Sequence, residues 1–202
     1  MVKQSDDRST FGNDEQLVAR FASSFEQLDD LFCGHGEPLP EELSIGLDPD
    51  DWSIIRWRPA EIPTAQDCLD TIYERLSGRF PALYERLVLT YRWLEVHLGT
   101  VMLLANPPGP TLDGLAAEIL RDPILLDTLL PAGFVPFGRV SGGYYDPMCF
   151  DLNSMRDGDC PIILIEHEAI LCQSRIGKSW QRYSSFRELM RDTIELAQSS
   201  RE

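Results

Sequence analysis

Phe134-Val-Pro-Phe-Gly138, Tyr144-Tyr-Asp-Pro-Met-Cys-Phe-Asp-Leu152 and Pro161-Ile-Ile-Leu-Ile-Glu-His167 are the runs on which the fold turns. Aromatic and β-branched residues concentrate in each, and Gly138, Gly142-Gly143 and Asp157-Gly158 separate them. That pattern predicts short strands joined by turns, hence an antiparallel sheet. Ile162 to Ile165 is apolar at consecutive positions, so both faces of this strand need cover, which predicts a central strand. Beyond it, Ser185 and Glu188 form a capping-box pattern ahead of Phe186, Leu189, Met190, Ile194 and Ala197, an amphipathic closing helix.

Toward the N-terminus the periodicity is helical. Leu17, Phe21, Phe25, Leu28 and Phe32 recur at helix spacing, and Gly34 and Gly36 end that pattern. From Glu37 to Pro63 five prolines interrupt the chain around one β-like run, Trp52 to Trp57, which reads as connecting chain and a hinge. Thr64 is a candidate N-cap for a helix burying Leu69, Ile72 and Leu76, and Pro81 opens another whose stripe is Leu83, Tyr84, Leu87, Val88 and Tyr91. Trp93 to Ala105 reads as a strand or hairpin around Gly99, followed by the rigid Asn106-Pro-Pro-Gly-Pro110 loop and one or two short helices over Leu115 to Leu130. Helices before strands, with one more at the end, predict an α+β fold with a mostly antiparallel sheet in the C-terminal half. The expected division is an acidic N-terminal extension over residues 1–60, carrying one amphipathic helix, and an α+β domain over residues 61–202.

The chain has 202 residues and a net charge of −15, from 33 acidic and 18 basic side chains. Residues 1–50 hold 12 of the acids and 3 of the bases. A solvated arm and an acidic surface facing a basic partner both fit that imbalance. Nucleic acid is not the default partner of so acidic a chain. The window 173–191 reverses the sign, with Arg175, Lys178, Arg182, Arg187 and Arg191 against Glu188 alone. Both a phosphate-binding patch and helix-surface arginines offsetting acidic neighbours fit it. No apolar run approaches the ~18 residues of a membrane span, and no apolar stretch follows the polar start, so a cytoplasmic, non-membrane protein is expected.

Motifs for chemistry are sparse. Gly177-Lys178-Ser179 has the ending of a phosphate-binding loop, but Cys172 stands where the earlier glycine belongs. Cys33, Cys68, Cys149, Cys160 and Cys172 show no paired spacing, so buried reduced thiols fit better than disulfides or a zinc site built from Cys149, Cys160, His167 and Cys172. Asp146, Asp151, Glu166, His167 and Glu168 form the densest set of candidate acids, bases or ligands. On an extended strand Glu166 and Glu168 would share one face and His167 the other, so these three would not converge. Trp52, Trp57, Trp93 and Trp180 are expected to be core anchors.

Taken together, Phe134 to Gly138, Gly142 to Asp151, Asp157-Gly158, Pro161 to Glu168, Ser185-Phe-Arg-Glu-Leu and the earlier Arg79-Phe-Pro-Ala-Leu-Tyr-Glu resemble the SUKH superfamily, over roughly residues 60–200. That superfamily includes a yeast cell-wall-synthesis regulator and many bacterial immunity proteins. Two departures stand out: Glu166 replaces an expected aspartate, and Ser141 to Tyr144 lacks an expected acidic residue. The resemblance implies a non-enzymatic protein-binding module that neutralises a toxin, often a nuclease, without cofactor or metal. It implies no direct contact with nucleic acid. The candidate partner contacts are Asp29, Asp30, Glu37, Glu41, Glu42, Asp48, Asp50 and Asp51, with Tyr144, Tyr145 and Asp146 in the loop. The alternatives are a regulatory scaffold of the same family and a metal-assisted hydrolase using Asp146, Asp151, Glu166 or Glu168.

Overall fold

A computed structural model describes residues 14–28, 31–34, 39–48, 50–51, 54–76, 78–142 and 145–200. Helix α1 spans Asp14–Leu28 and buries Leu17, Val18, Phe21 and Phe25 on one face. It ends before Phe32, which instead sits in strand β1 (Phe32–Gly34) and is 54% exposed, correcting the longer helix. β1, β2 (Ser44–Leu47) and β3 (Ile54–Trp57) form a small antiparallel sheet in the order β1-β3-β2. The proline-rich connector is therefore sheet as well as linker. Pro40, Pro59 and Pro63 lie outside these strands, and Trp57 anchors the sheet at 3% exposure.

β4 (Ala60–Glu61) pairs with β5 (Tyr91–Arg92). Between them lie a 3-10 turn at Gln66–Leu69, helix α2 (Asp70–Tyr73) and helix α3 (Ala82–Thr90). Thr64 caps neither 3-10 turn nor α2; its hydroxyl accepts from the buried Arg92 guanidinium instead. Pro81 does precede α3, which buries Leu83, Tyr84, Leu87 and Val88. β6 (Val96–Leu98) and β7 (Val101–Leu103) form the expected hairpin, with Gly99 at φ +70° in its turn, a backbone state that favours glycine. Two short helices follow, α4 (Asp113–Ile119) and α5 (Pro123–Leu129). Asp122 caps α5 by accepting from the amides of Ile124 and Leu125.

β8 (Phe134–Val140), β9 (Pro147–Asp151), β10 (Ile162–Ile165) and β11 (Ser179–Tyr183) complete a six-stranded antiparallel sheet in the order β11-β10-β9-β8-β7-β6. The fold is thus α+β. β10 is next to the edge rather than central, and Ile163 and Leu164 are half-buried; β9, buried from Pro147 to Phe150, holds the protected position. Glu166 ends the extended chain, and His167 opens helix α6 (His167–Gln173), where the sequence reading continued the strand. The sequence gives no strand signal for β11, because four of its five residues are exposed and polar or charged side chains dominate it.

Helix α7 (Phe186–Ser199) closes the chain with its capping box shifted by one residue. Ser185 Oγ accepts from the Glu188 amide at 3.0 Å, but the Glu188 carboxylate accepts from the amide and hydroxyl of Ser184. Asp159, distant in sequence, accepts from the amides of Phe186 and Arg187, at 2.9 and 3.2 Å, and so satisfies two more donors of the first turn. Phe186 is the hub of the core. Its ring meets Phe21 of α1, Tyr84 of α3, Phe137 of β8 and Phe150 of β9 at centroid separations of 5.4 to 6.0 Å. α1 therefore shares one apolar cluster with α3, α7 and the inner face of the large sheet. A second, smaller cluster of Leu129, Cys149, Ile165 and Ile170 lies on the other face, beneath α5 and α6.

Candidate functional site

The partner contacts expected from sequence fall on two surfaces. Asp29, Asp30, Glu37 and Tyr144 lie outside the described residues. Glu41 and Glu42 form the turn that enters β2, Asp50 and Asp51 follow it, and all four are exposed. They bracket an edge strand whose four residues are all exposed, including Ile45 at 53% and Leu47 at 55%. β2 thus presents apolar side chains between two acidic ends.

Asp48 differs from its neighbours. It is 6% exposed, its Oδ1 accepts from the amides of Asp50 (2.8 Å) and Asp51 (3.2 Å), and its Oδ2 accepts from Arg56 Nε at 2.5 Å. The Asp50 amide first, and then the Arg56 guanidinium, hold its carboxyl below the usual carboxylate range. With Asp48 N–H donating to Ile54 O and Ile54 N–H to Asp51 O, this side chain builds the β2–β3 connection from inside. Its role is to fix the acidic turn that displays Asp50 and Asp51.

Tyr145 and Asp146 belong to the second surface, a cleft of about 520 Å3 on the far side of the large sheet. Its floor is Pro136 and Gly138 of β8 with Pro147 of β9; α5 supplies one wall, and His167 and Leu171 of α6 the other. Ile124, Tyr145 and Leu171 stand at 57%, 67% and 47% exposure and line it. Asp146 Oδ1 receives both the backbone N–H of His167 (3.0 Å) and its ring Nδ1 (2.6 Å). A carboxylate only accepts, so Nδ1 carries the proton in this contact. The Tyr145 ring packs against this imidazole at 5.9 Å. The sequence groups Asp146 and His167 in one set of candidate ligands but predicts no contact between them, because they are 21 residues apart and the pattern around His167 reads as strand. No local signal reports a tertiary cap.

The other candidate ligands do not gather. Asp151 accepts from the Asn153 amide and Ser154 hydroxyl, Glu166 lies 3.7 Å from Lys178 Nζ, and Glu168 is exposed on α6. Cys149 and Cys160 are buried while Cys172 is exposed, and all described cysteines are free thiols. Among the described residues no group of three or more such side chains could hold a metal ion, and no helix is long and apolar enough to cross a membrane. Gly177 has a packing reason: a Cβ there would come within 2.5 Å of the Ala169 Cβ, so the loop rests directly on α6. Trp93 is fully buried, whereas Trp180 is 46% exposed on β11, correcting its placement in the core; Trp52 lies outside the described residues. Of the basic window, Arg187 and Arg191 lie on α7 but Arg182 lies on β11, and Arg175 precedes that strand.

No protein-family model matches the chain, and no curated protein matches it.

Proposed function

We propose that this chain is a non-enzymatic, SUKH-like protein-binding module acting in the cytoplasm, an immunity protein that binds and neutralises a toxin with a basic surface. The observation that carries the reading is the β2 edge, where exposed Ile45 and Leu47 lie between Glu41-Glu42 and Asp50-Asp51. An edge strand offers unpaired backbone groups to a partner, apolar side chains supply anchorage, and the flanking carboxylates steer a cationic surface into register. A toxin that processes nucleic acid needs a cationic face, and covering that face disables it. Asp146, Asp151 and Glu166 each hold separate partners and Glu168 is exposed on α6, an arrangement that favours binding over metal-assisted hydrolysis.

Affinity capture from the native host tests this with two baits, the wild-type chain and a variant carrying Glu41→Lys, Glu42→Lys, Asp50→Lys and Asp51→Lys. The expected result is one stoichiometric, basic, toxin-like protein retained by the first and lost by the second. A set of regulatory or envelope-synthesis proteins retained equally by both would support the scaffold reading and contradict this one.

A further inference from the structure

The basic stretch from Arg175 to Arg182 plays no part in the reading above. β11 is the outer strand of the six-stranded sheet, and Ser179, Trp180, Gln181 and Arg182 are exposed. Each edge strand has a helix packed against it, α1 on β6 and α7 on β11, but β6 buries two of its three residues and β11 exposes four of its five. In a chain of net charge −15 it is nonetheless bordered by cations, Arg175 and Lys178 before Trp180 and Arg182 after it. The Lys178 side chain is 75% exposed. Charged side chains often guard a lone edge strand. Here the same chain carries a complement to them.

That complement is β2. It too is an edge strand, with all four residues exposed against four of the five in β11, and it presents Ile45 and Leu47 at its second and fourth positions where β11 presents Trp180 at its second. Its ends carry Glu41-Glu42 and Asp50-Asp51 where those of β11 carry cations. We infer that β11 of one copy receives the β2 edge of a second copy as an added strand. Trp180 then lies beside Ile45 or Leu47 on the shared face, and the cationic ends meet the acidic ends. The two edges are different surfaces, so the contact is heterologous and copies add head to tail as concentration rises. The net negative charge of each copy repels the other at long range. Physiological salt shortens that long-range repulsion to about 8 Å and leaves adjacent opposite charges in contact. Self-association would cover the face assigned above to the toxin, so that a basic partner must displace a neighbouring copy. This last consequence rests on the proposed function; the association itself does not.

Sedimentation velocity of the full chain from about 2 to about 200 µM, at about 150 mM salt, tests the contact. The weight-average sedimentation coefficient should rise by about 1.5-fold or more over that range and stay flat at about 1 M salt. A variant with Arg175→Glu, Lys178→Glu and Arg182→Glu should stay flat, as should one with Glu41→Lys, Glu42→Lys, Asp50→Lys and Asp51→Lys. Their equimolar mixture should rise again, because reversed edges then face reversed edges. All seven positions are exposed, and Trp180→Ser, with its expected loss of association, serves as an independent variant if either multiple variant melts early. A wild-type coefficient constant with concentration overturns the inference. So does either charge variant rising as the wild type does, or a mixture that remains flat while the wild type rises. Toxin capture uses dilute chain and is scored separately, so either result can fail alone.

Discussion

Phe186→Ala is the most informative test of how the core is joined. The ring is fully buried and makes edge contacts with Phe21, Tyr84, Phe137 and Phe150, which belong to four other elements. A buried phenylalanine withdraws roughly 200 Å2 from water, or about 5 kcal/mol at about 25 cal/mol/Å2, of which alanine keeps about a third. Adding about 1 kcal/mol for the lost ring pairs gives a destabilisation of about 4 kcal/mol, inside the usual range for such truncations. For a chain of this length that lowers Tm by roughly 8–16 °C. Helix content by circular dichroism and the environment of Trp93, which packs on Phe25 of α1, should report one coincident transition. In a double-mutant cycle with Phe21→Ala, the coupling should be about 1 kcal/mol. A loss below about 1 kcal/mol, strict additivity with Phe21→Ala, or a separate early melting of α1 would refute the argument that α1 and the sheet share one core.

Three further outcomes follow from local chemistry. Asn106 is fully buried and its Nδ2 donates to the carbonyls of Val88 (2.9 Å) and Tyr91 (2.8 Å) at the end of α3, so Asn106→Ala should cost about 2 kcal/mol in urea unfolding, and a loss under about 0.5 kcal/mol would contradict it. Burial pushes the Cys160 thiol up to about 12 and raises Cys149 as well, whereas Cys172 is exposed; iodoacetamide at neutral pH should label Cys172 and spare the other two until the chain unfolds, as read by peptide mass. The depressed Asp48 carboxyl means the fold binds fewer protons than the unfolded chain, so its contribution is complete above the ordinary value of 3.8 and is lost as pH falls through the lower folded value. Asp48→Asn should lower Tm at neutral pH and flatten the acid limb below about pH 4, whereas parallel curves for the two proteins would be inconsistent with that linkage.

What sequence revealed and what it hid have physical causes. β8, β9, the β6–β7 hairpin and α7 were legible because their periodicity, turn glycines and caps are local, and the structure adds only registers and ends. α6 was hidden because Glu166-His167-Glu168 continues an apolar strand without a local stop, and Asp146, which receives the His167 amide, comes from 21 residues upstream. β11 was hidden because an exposed edge strand need not alternate: its Trp180 and Arg182 answer to solvent and to whatever meets the edge. The small sheet was obscured by the prolines that punctuate residues 37–63 of the sequence. At the candidate site, Glu41, Glu42, Asp50 and Asp51 were singled out by charge alone, but their place at the two ends of an exposed edge strand needed the β2–β3 register. Composition could not distinguish Asp48, which organises the turn, from neighbours that face outward.

Protection of growing cells is the most direct measurement of the central claim. Cells producing the captured basic partner should stop growing, should recover when the wild-type chain is supplied together with it, and should not recover with Glu41→Lys, Glu42→Lys, Asp50→Lys and Asp51→Lys in the chain. Failure of the wild type to protect, or equal protection by the charge-reversed chain, would contradict a toxin-neutralising role for the acidic β2 edge.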